Sequence, residues 1–127
     1  MKRSMVIIMV FASLLAMPVF AAQTAKIAVA AADKTPGAAV IEQAAGAPYF
    51  LFFDGKGKFL EAIENPYKNA ESPGPSVINF LAGKGATTVV AGGFGPKIVE
   101  VAKGKGITAL SFKGSAQDAV KKAIQSK

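Results

Sequence analysis

Three glycines and a lysine stand together in Gly92-Gly93-Phe94-Gly95-Pro96-Lys97, the densest group of binding chemistry in the chain. Glycine has no Cβ, so it lets a main chain approach a ligand closely, and backbone N–H groups at a helix start can face an anion. Lys97 adds a positive charge at the same place. Glycine serves a plain turn equally well where packing requires a positive φ, so both readings stand for this loop. The spacing fits neither the G-x-x-x-x-G-K-[ST] phosphate loop nor the G-x-G-x-x-G dinucleotide turn.

The remaining side chains argue against catalysis. With no Cys and no His, neither a Cys-His nor a Ser-His nucleophile can be assembled. Acids number 8, and Asp54 and Asp118 are better explained by a hairpin turn and a helix cap. A two-metal site needs several acids converging on one point, and only Asp33 stands at a strand end where one would look. Asp33 is kept as a candidate binding residue, and no catalytic residue is assigned.

The charge balance is basic, +7 over 127 residues. Residues 1–3 give a charged start and residues 5–15 an apolar run, the pattern of a secretory signal. Val19 and Ala21 place small residues at −3 and −1 of a cleavage point, so residues 1–21 are expected to be removed and the mature chain to begin near Ala22. The alternative is an uncleaved anchor, because the apolar run from 5 to 22 reaches the lower limit of roughly 17 to 18 residues for a spanning helix. Pro18 and the small-residue exit favour cleavage. Removing 21 of 127 residues leaves 106, enough for one domain.

Lys2 and Arg3 leave with the signal, so 15 basic residues become 13 against 8 acidic ones, a net charge of +5 carried by lysine alone. Arginine grips phosphate bidentately, whereas lysine acts as a mobile point charge. The expected partner is therefore an anion held by field, and nucleic acid is not expected. Lys56-Gly57-Lys58 and Lys103-Gly104-Lys105 read as solvated loop charges. Phe50, Phe52, Phe53 and Phe59 read as core and cross-strand packing.

The elements that must position these residues alternate between strand and helix. Residues 26–31 form a short apolar run closed by turn residues, which predicts a buried strand. Residues 38–47 read as an irregular loop with one helical turn. Residues 49–53 and 59–64 flank Asp54-Gly55, the signal of a tight reversal, and predict a hairpin. A helix is expected from about Pro75 to Gly83, a strand over 87–91, a short helix from the glycine loop to about Lys103, and a strand over 107–110. Ser115 and Asp118 then cap a last helix with Val120, Ala123 and Ile124 on one face. The expected fold class is α/β: a single domain with a mixed sheet, a hairpin region near its N-terminus and flanking helices. Ligands of open α/β sheets sit beyond the carboxyl ends of the strands, an edge that would collect Asp33, the glycine loop and part of 38–47.

Four segments in this order, Ile27-Ala28-Val29-Ala30, Ala47-Pro48-Tyr49-Phe50, Glu64-Asn65-Pro66 and Val89-Val90-Ala91-Gly92-Gly93-Phe94-Gly95-Pro96-Lys97, resemble the dinitrogenase iron-molybdenum cofactor biosynthesis family over almost all of the mature chain. The resemblance implies a ribonuclease-H-like domain that binds or carries preformed metal–sulfur cofactors, among them iron-molybdenum cofactor precursors and molybdenum–copper sulfide clusters. It also implies an accessory protein, not an enzyme. One departure is clear: relatives carry His-Phe-Gly-Arg before Ala-Pro-Tyr-Phe, and this chain has Gln43-Ala44-Ala45-Gly46. Soft metals favour thiolate or imidazole, and the mature chain offers neither.

The reading is an exported, periplasmic or secreted, non-enzymatic protein that carries or scavenges a metal–sulfur cluster or related anionic metal cofactor. Gly92, Gly93, Phe94, Gly95 and Lys97, with Asp33 and Gln43 at the same edge, are the candidate cofactor-binding residues, and no residue is assigned as a metal ligand. The expected cofactor is a molybdenum- or iron-containing sulfide cluster held non-covalently. Expected partners are that cluster and a protein that donates or accepts it, with no membrane contact after signal cleavage. The alternative is an interaction module that kept the fold and lost the cofactor.

Overall fold

Short apolar runs between turn residues become five strands, and the amphipathic segments between them become helices that cover both faces of the sheet. The computed structural model describes residues 25–71 and 73–125. The expected signal and its cleavage point lie outside the described residues. The strands are β1 (Lys26–Ala31), β2 (Tyr49–Asp54), β3 (Phe59–Glu64), β4 (Thr88–Ala91) and β5 (Thr108–Ser111). The helices are α1 (Pro73–Gly83), α2 (Pro96–Gly104) and α3 (Ala116–Gln125), with one 3-10 turn at Ala44–Gly46. No helix among the described residues is long and apolar enough to cross a membrane.

The sheet order is β3-β2-β1-β4-β5. β2 runs antiparallel to both β1 and β3, while β1, β4 and β5 are parallel. This is the ribonuclease-H-like mixed sheet. Period-2 alternation divides its side chains between two cores. Ala28, Ala30, Phe50, Phe52 and Val89 pack under α1 and α2, against Val77, Ile78, Leu81 and Ile98. Ile27, Val29, Leu51, Phe53 and Val90 pack under α3, whose Ala116, Ala119, Val120 and Ala123 recur at helical spacing.

Helix α1 begins at Pro73, two residues before the expected Pro75. Both prolines fit inside a first turn, where a missing N–H breaks no intrahelical bond. The β2–β3 reversal is present, but the residue that needs glycine is Gly57 at φ 90, not Gly55. Asp54 shapes the turn by accepting from the N–H groups of Lys56 at 2.8 Å and Lys58 at 2.9 Å. Those two bonds favour its charged form and hold its carboxyl below the usual value. At the far end of the domain, Ser115 Oγ accepts from the Asp118 N–H at 3.2 Å, the expected cap of α3.

Candidate functional site

β1 and β4 are adjacent and parallel, so their carboxyl ends, Ala31 and Ala91, open side by side. The segment from 39 to 43 crosses over those ends: Ile41 donates to Ala30 O at 2.9 Å, and Gln43 forms an isolated parallel bridge with Gly93. Gly92 N–H donates to Ile41 O at 2.8 Å and Gly93 N–H to Glu42 O at 2.6 Å. Two of the N–H groups expected to face a ligand are therefore used by the chain itself. The turn reading of the loop fails as well, because the glycines with positive φ are Gly57, Gly85, Gly106 and Gly114. What requires glycine is the approach of two main chains: a Cβ on Gly92 would lie 2.8 Å from Glu42 Cα and 2.9 Å from its Oε1.

Beyond this seam lies an open cavity of about 560 Å³. One wall is the 42–45 segment, a second is the first turn of α1 with Glu71 before it, and a third is Gly93, Phe94 and Gly95 with the first turn of α2. Gly74 lets the two helix starts meet, since a Cβ there would come within 2.7 Å of Ile98 Cγ1. Neither helix has an acid in its first turn, so the partial positive charge at each N-terminus is left uncompensated by its own helix. The N–H groups of Phe94 and Gly95 make no backbone hydrogen bond among the described residues. Lys97 adds a cation, and Glu42 and Glu71 bring carboxylates to the rim.

The fold brings together five of the expected residues: Gln43, Gly93, Phe94, Gly95 and Lys97 all line the cavity. Gly92 sits behind them as the contact with Glu42. Asp33 does not line the cavity; it is exposed, and its Oδ1 accepts from the Lys34 N–H at 2.6 Å. The sequence reading put part of 38–47 at this edge but named only Gln43 in it, and it missed Glu71 and the start of α1 as wall residues.

It also missed the part played by Asn65. This residue is 5% exposed, and its side-chain amide donates to Ala45 O at 3.1 Å and Ala47 O at 2.9 Å. Its Oδ1 accepts from the Tyr67 N–H at 2.9 Å. Asn65 thus holds the 3-10 turn that forms the cavity wall. The signal for it was an Asn before a Pro, a pair that marks a turn without saying which segment the side chain ties down.

A profile of the dinitrogenase iron-molybdenum cofactor family matches residues 25–126, a span that takes in all of the described residues. The chain belongs to this family. Solved structures agree on the fold. The apo form of the orange protein from Desulfovibrio gigas has 22% sequence identity and a TM-score of 0.73, over 80% of this chain and 88% of that one. A Thermotoga protein assigned as NifB, of the DUF35 family, has 26% identity and a TM-score of 0.66, over 80% and 88%. A dinitrogenase-assigned protein from Methanocaldococcus jannaschii has 11% identity and a TM-score of 0.52, over 80% and 88%. No curated protein matches the chain significantly.

Within the dinitrogenase iron-molybdenum cofactor family frame, the departure noted in the sequence acquires a location. Gln43, Ala44 and Ala45, where the resemblance implies His, Phe and Gly, all line the cavity. The imidazole implied by the resemblance would thus stand on its wall. Among the described residues, no group of three or more His, Cys, Asp or Glu side chains could hold a metal ion.

Proposed function

We propose that this protein is an exported, non-enzymatic carrier that holds a metal–sulfur cluster or related metal cofactor non-covalently in the cavity between the first turns of α1 and α2. Family membership supports a metal-cluster cargo. The observation that carries the reading is the convergence of Gln43, Gly93, Phe94, Gly95 and Lys97 on one cavity, with two helix N-termini directed to it. Its volume of about 560 Å³ falls within the range of small-ligand sites. Export rests on the charged start, apolar run and small-residue exit of residues 1–21.

The donor chemistry restricts the cargo. Thiolate, thioether and imidazole are absent from the described residues, so the soft donors to the metals of a bound cluster are the cluster's own sulfides. The protein offers the Phe94 and Gly95 N–H groups, the helix starts, the Lys97 ammonium and the apolar surfaces of Phe94 and Ile98. Glu42 and Glu71 oppose part of that positive field, which favours a sulfide cluster of modest negative charge over a highly charged polyanion.

Anaerobic titration of the metal-free protein with tetrathiomolybdate, followed by visible absorption, tests this reading. Saturable binding is expected, weakened by Lys97→Ala with folding unchanged. Absence of saturable binding, or equal affinity in the Lys97→Ala variant, would remove the cavity or Lys97 from the account. A second reading is favoured by Gln43 standing where the family carries histidine: an interaction module that kept the fold and lost the cargo. It predicts no uptake of any sulfide cluster and no dependence on Lys97.

A further inference from the structure

Lysines that are dispersed along the sequence are gathered by the topology at one end of the domain, opposite the cavity. Lys26 opens β1, and its register partner Asp54 ends β2, so Lys56 and Lys58 of the β2–β3 turn lie at the same end. Lys84 follows α1 and meets Lys26 directly, its carbonyl accepting from Lys26 Nζ at 2.9 Å. Lys103 and Lys105 close α2 just before β5 begins. Lys121 lies in the C-terminal half of α3 and borders a groove with Lys56, Gly57 and Ile124.

Asp54 is the carboxylate in the hairpin at this end, its Oδ1 already accepting the Lys56 and Lys58 N–H groups, while Glu61 and Glu100 stand within β3 and α2. At the opposite end Asp33, Glu42, Glu64, Glu71 and Asp118 intersperse with Lys34, Lys68, Lys97 and Lys113. Lysines at helix C-termini offset the helix dipoles, which accounts for Lys103 in the last turn of α2 and Lys84 just after α1. Lys26, Lys56 and Lys58 belong to a strand start and a hairpin, where no dipole calls for them. The charge is a property of the whole end, not of its helices alone.

The chain also enters the domain there. Ala25 borders a groove with Lys26, Asp54 and Lys84. We propose that this lysine-bearing end docks on an anionic phospholipid surface, with the cavity facing away from the bilayer. Lysine near an anionic headgroup layer is attracted without needing bidentate geometry, and the attraction adds over several residues within a Debye length. The sequence expectation of no membrane contact rested on removal of the apolar signal, whereas this docking would use surface charge alone.

The experiment is vesicle flotation of the protein recovered from the export compartment, with phosphatidylglycerol-containing and pure phosphatidylcholine vesicles at low and high salt. Two triple variants carry the same change in net charge: Lys56→Gln with Lys58→Gln and Lys121→Gln at the proposed docking end, and Lys34→Gln with Lys68→Gln and Lys113→Gln at the other. Binding to the anionic vesicles alone is expected, lost at high salt. The first triple should weaken it by about fivefold per lysine, on the order of a hundredfold, and the second by far less, with circular dichroism confirming both folds. No flotation with anionic vesicles overturns the proposal, as do equal losses in the two triples, which would reduce the effect to net charge. Retention on polyglutamate without flotation also overturns it and assigns the end to an acidic protein.

Discussion

Gly92 lies against Glu42 so closely that a Cβ on it would be 2.8 Å from the Glu42 Cα. The contact is between main chains, and the hydrogen bonds from Gly92 to Ile41 O and from Gly93 to Glu42 O run along the same seam. Gly92→Ala must therefore part the seam, and we expect a loss of about 1–3 kcal/mol in urea unfolding together with weaker cluster binding. Gly93→Ala is the control. A Cβ there makes only ordinary contacts, 3.7 Å from Glu42 O, and a stability change within about 0.5 kcal/mol is expected.

Asn65 joins three backbone groups with one side chain. Asn65→Ala leaves the Ala45 and Ala47 carbonyls and the Tyr67 N–H without that partner, which costs about 1–3 kcal/mol for a buried group. Because Ala45 belongs to the cavity wall, cluster affinity should fall in folded protein as well. Unchanged affinity at reduced stability would confine Asn65 to a structural part.

Gln43→His would place an imidazole on the cavity wall where the chain now has none. Tighter binding of an iron- or copper-containing sulfide cluster is expected, because imidazole ligates such metals and a glutamine amide does not compete with it. The gain should disappear as pH falls below about 6.5, where histidine takes a proton. Titration of both proteins across that range reads the effect directly.

Asp54 carries a pH dependence unrelated to the cavity. The Lys58 and Lys56 N–H groups hold its carboxyl below the ordinary carboxylate value of 3.8. A depressed folded value means that the charged form stabilises the fold above the unfolded value and that this contribution is lost as pH falls through the folded one. Wild type should thus exceed Asp54→Ala in stability at neutral pH, with the pH-dependent part of the gap closing as pH falls through the ordinary value of 3.8 and on through the lower folded one. A gap that does not change with pH would show that the turn's geometry, not the carboxylate charge, carries the effect.

The sheet was legible because its strands announce themselves locally. Val89 and Val90 sit in a β-branched run, and Asp54-Gly55 marks the reversal even though Gly57 takes the positive φ. The cavity was legible only on one side. The glycine loop and Lys97 are contiguous in sequence, so their shared location followed from the strand end. Glu42 and Asn65 act through partners 50 and 20 residues away, Gly92 and Ala45. No periodicity records a pairing of that kind. Asp33 went the other way: a strand end placed it near the right edge, but the crossing of 39–43 put another segment over the cavity.

Metal and acid-labile sulfide analysis, with a visible absorption spectrum, on protein purified anaerobically from its export compartment tests the central claim most directly. The carrier account predicts metal and sulfide in stoichiometric amounts with a charge-transfer band that fades in the Lys97→Ala variant. A colourless, metal-free protein that also fails to take up sulfide clusters on reconstitution would contradict it.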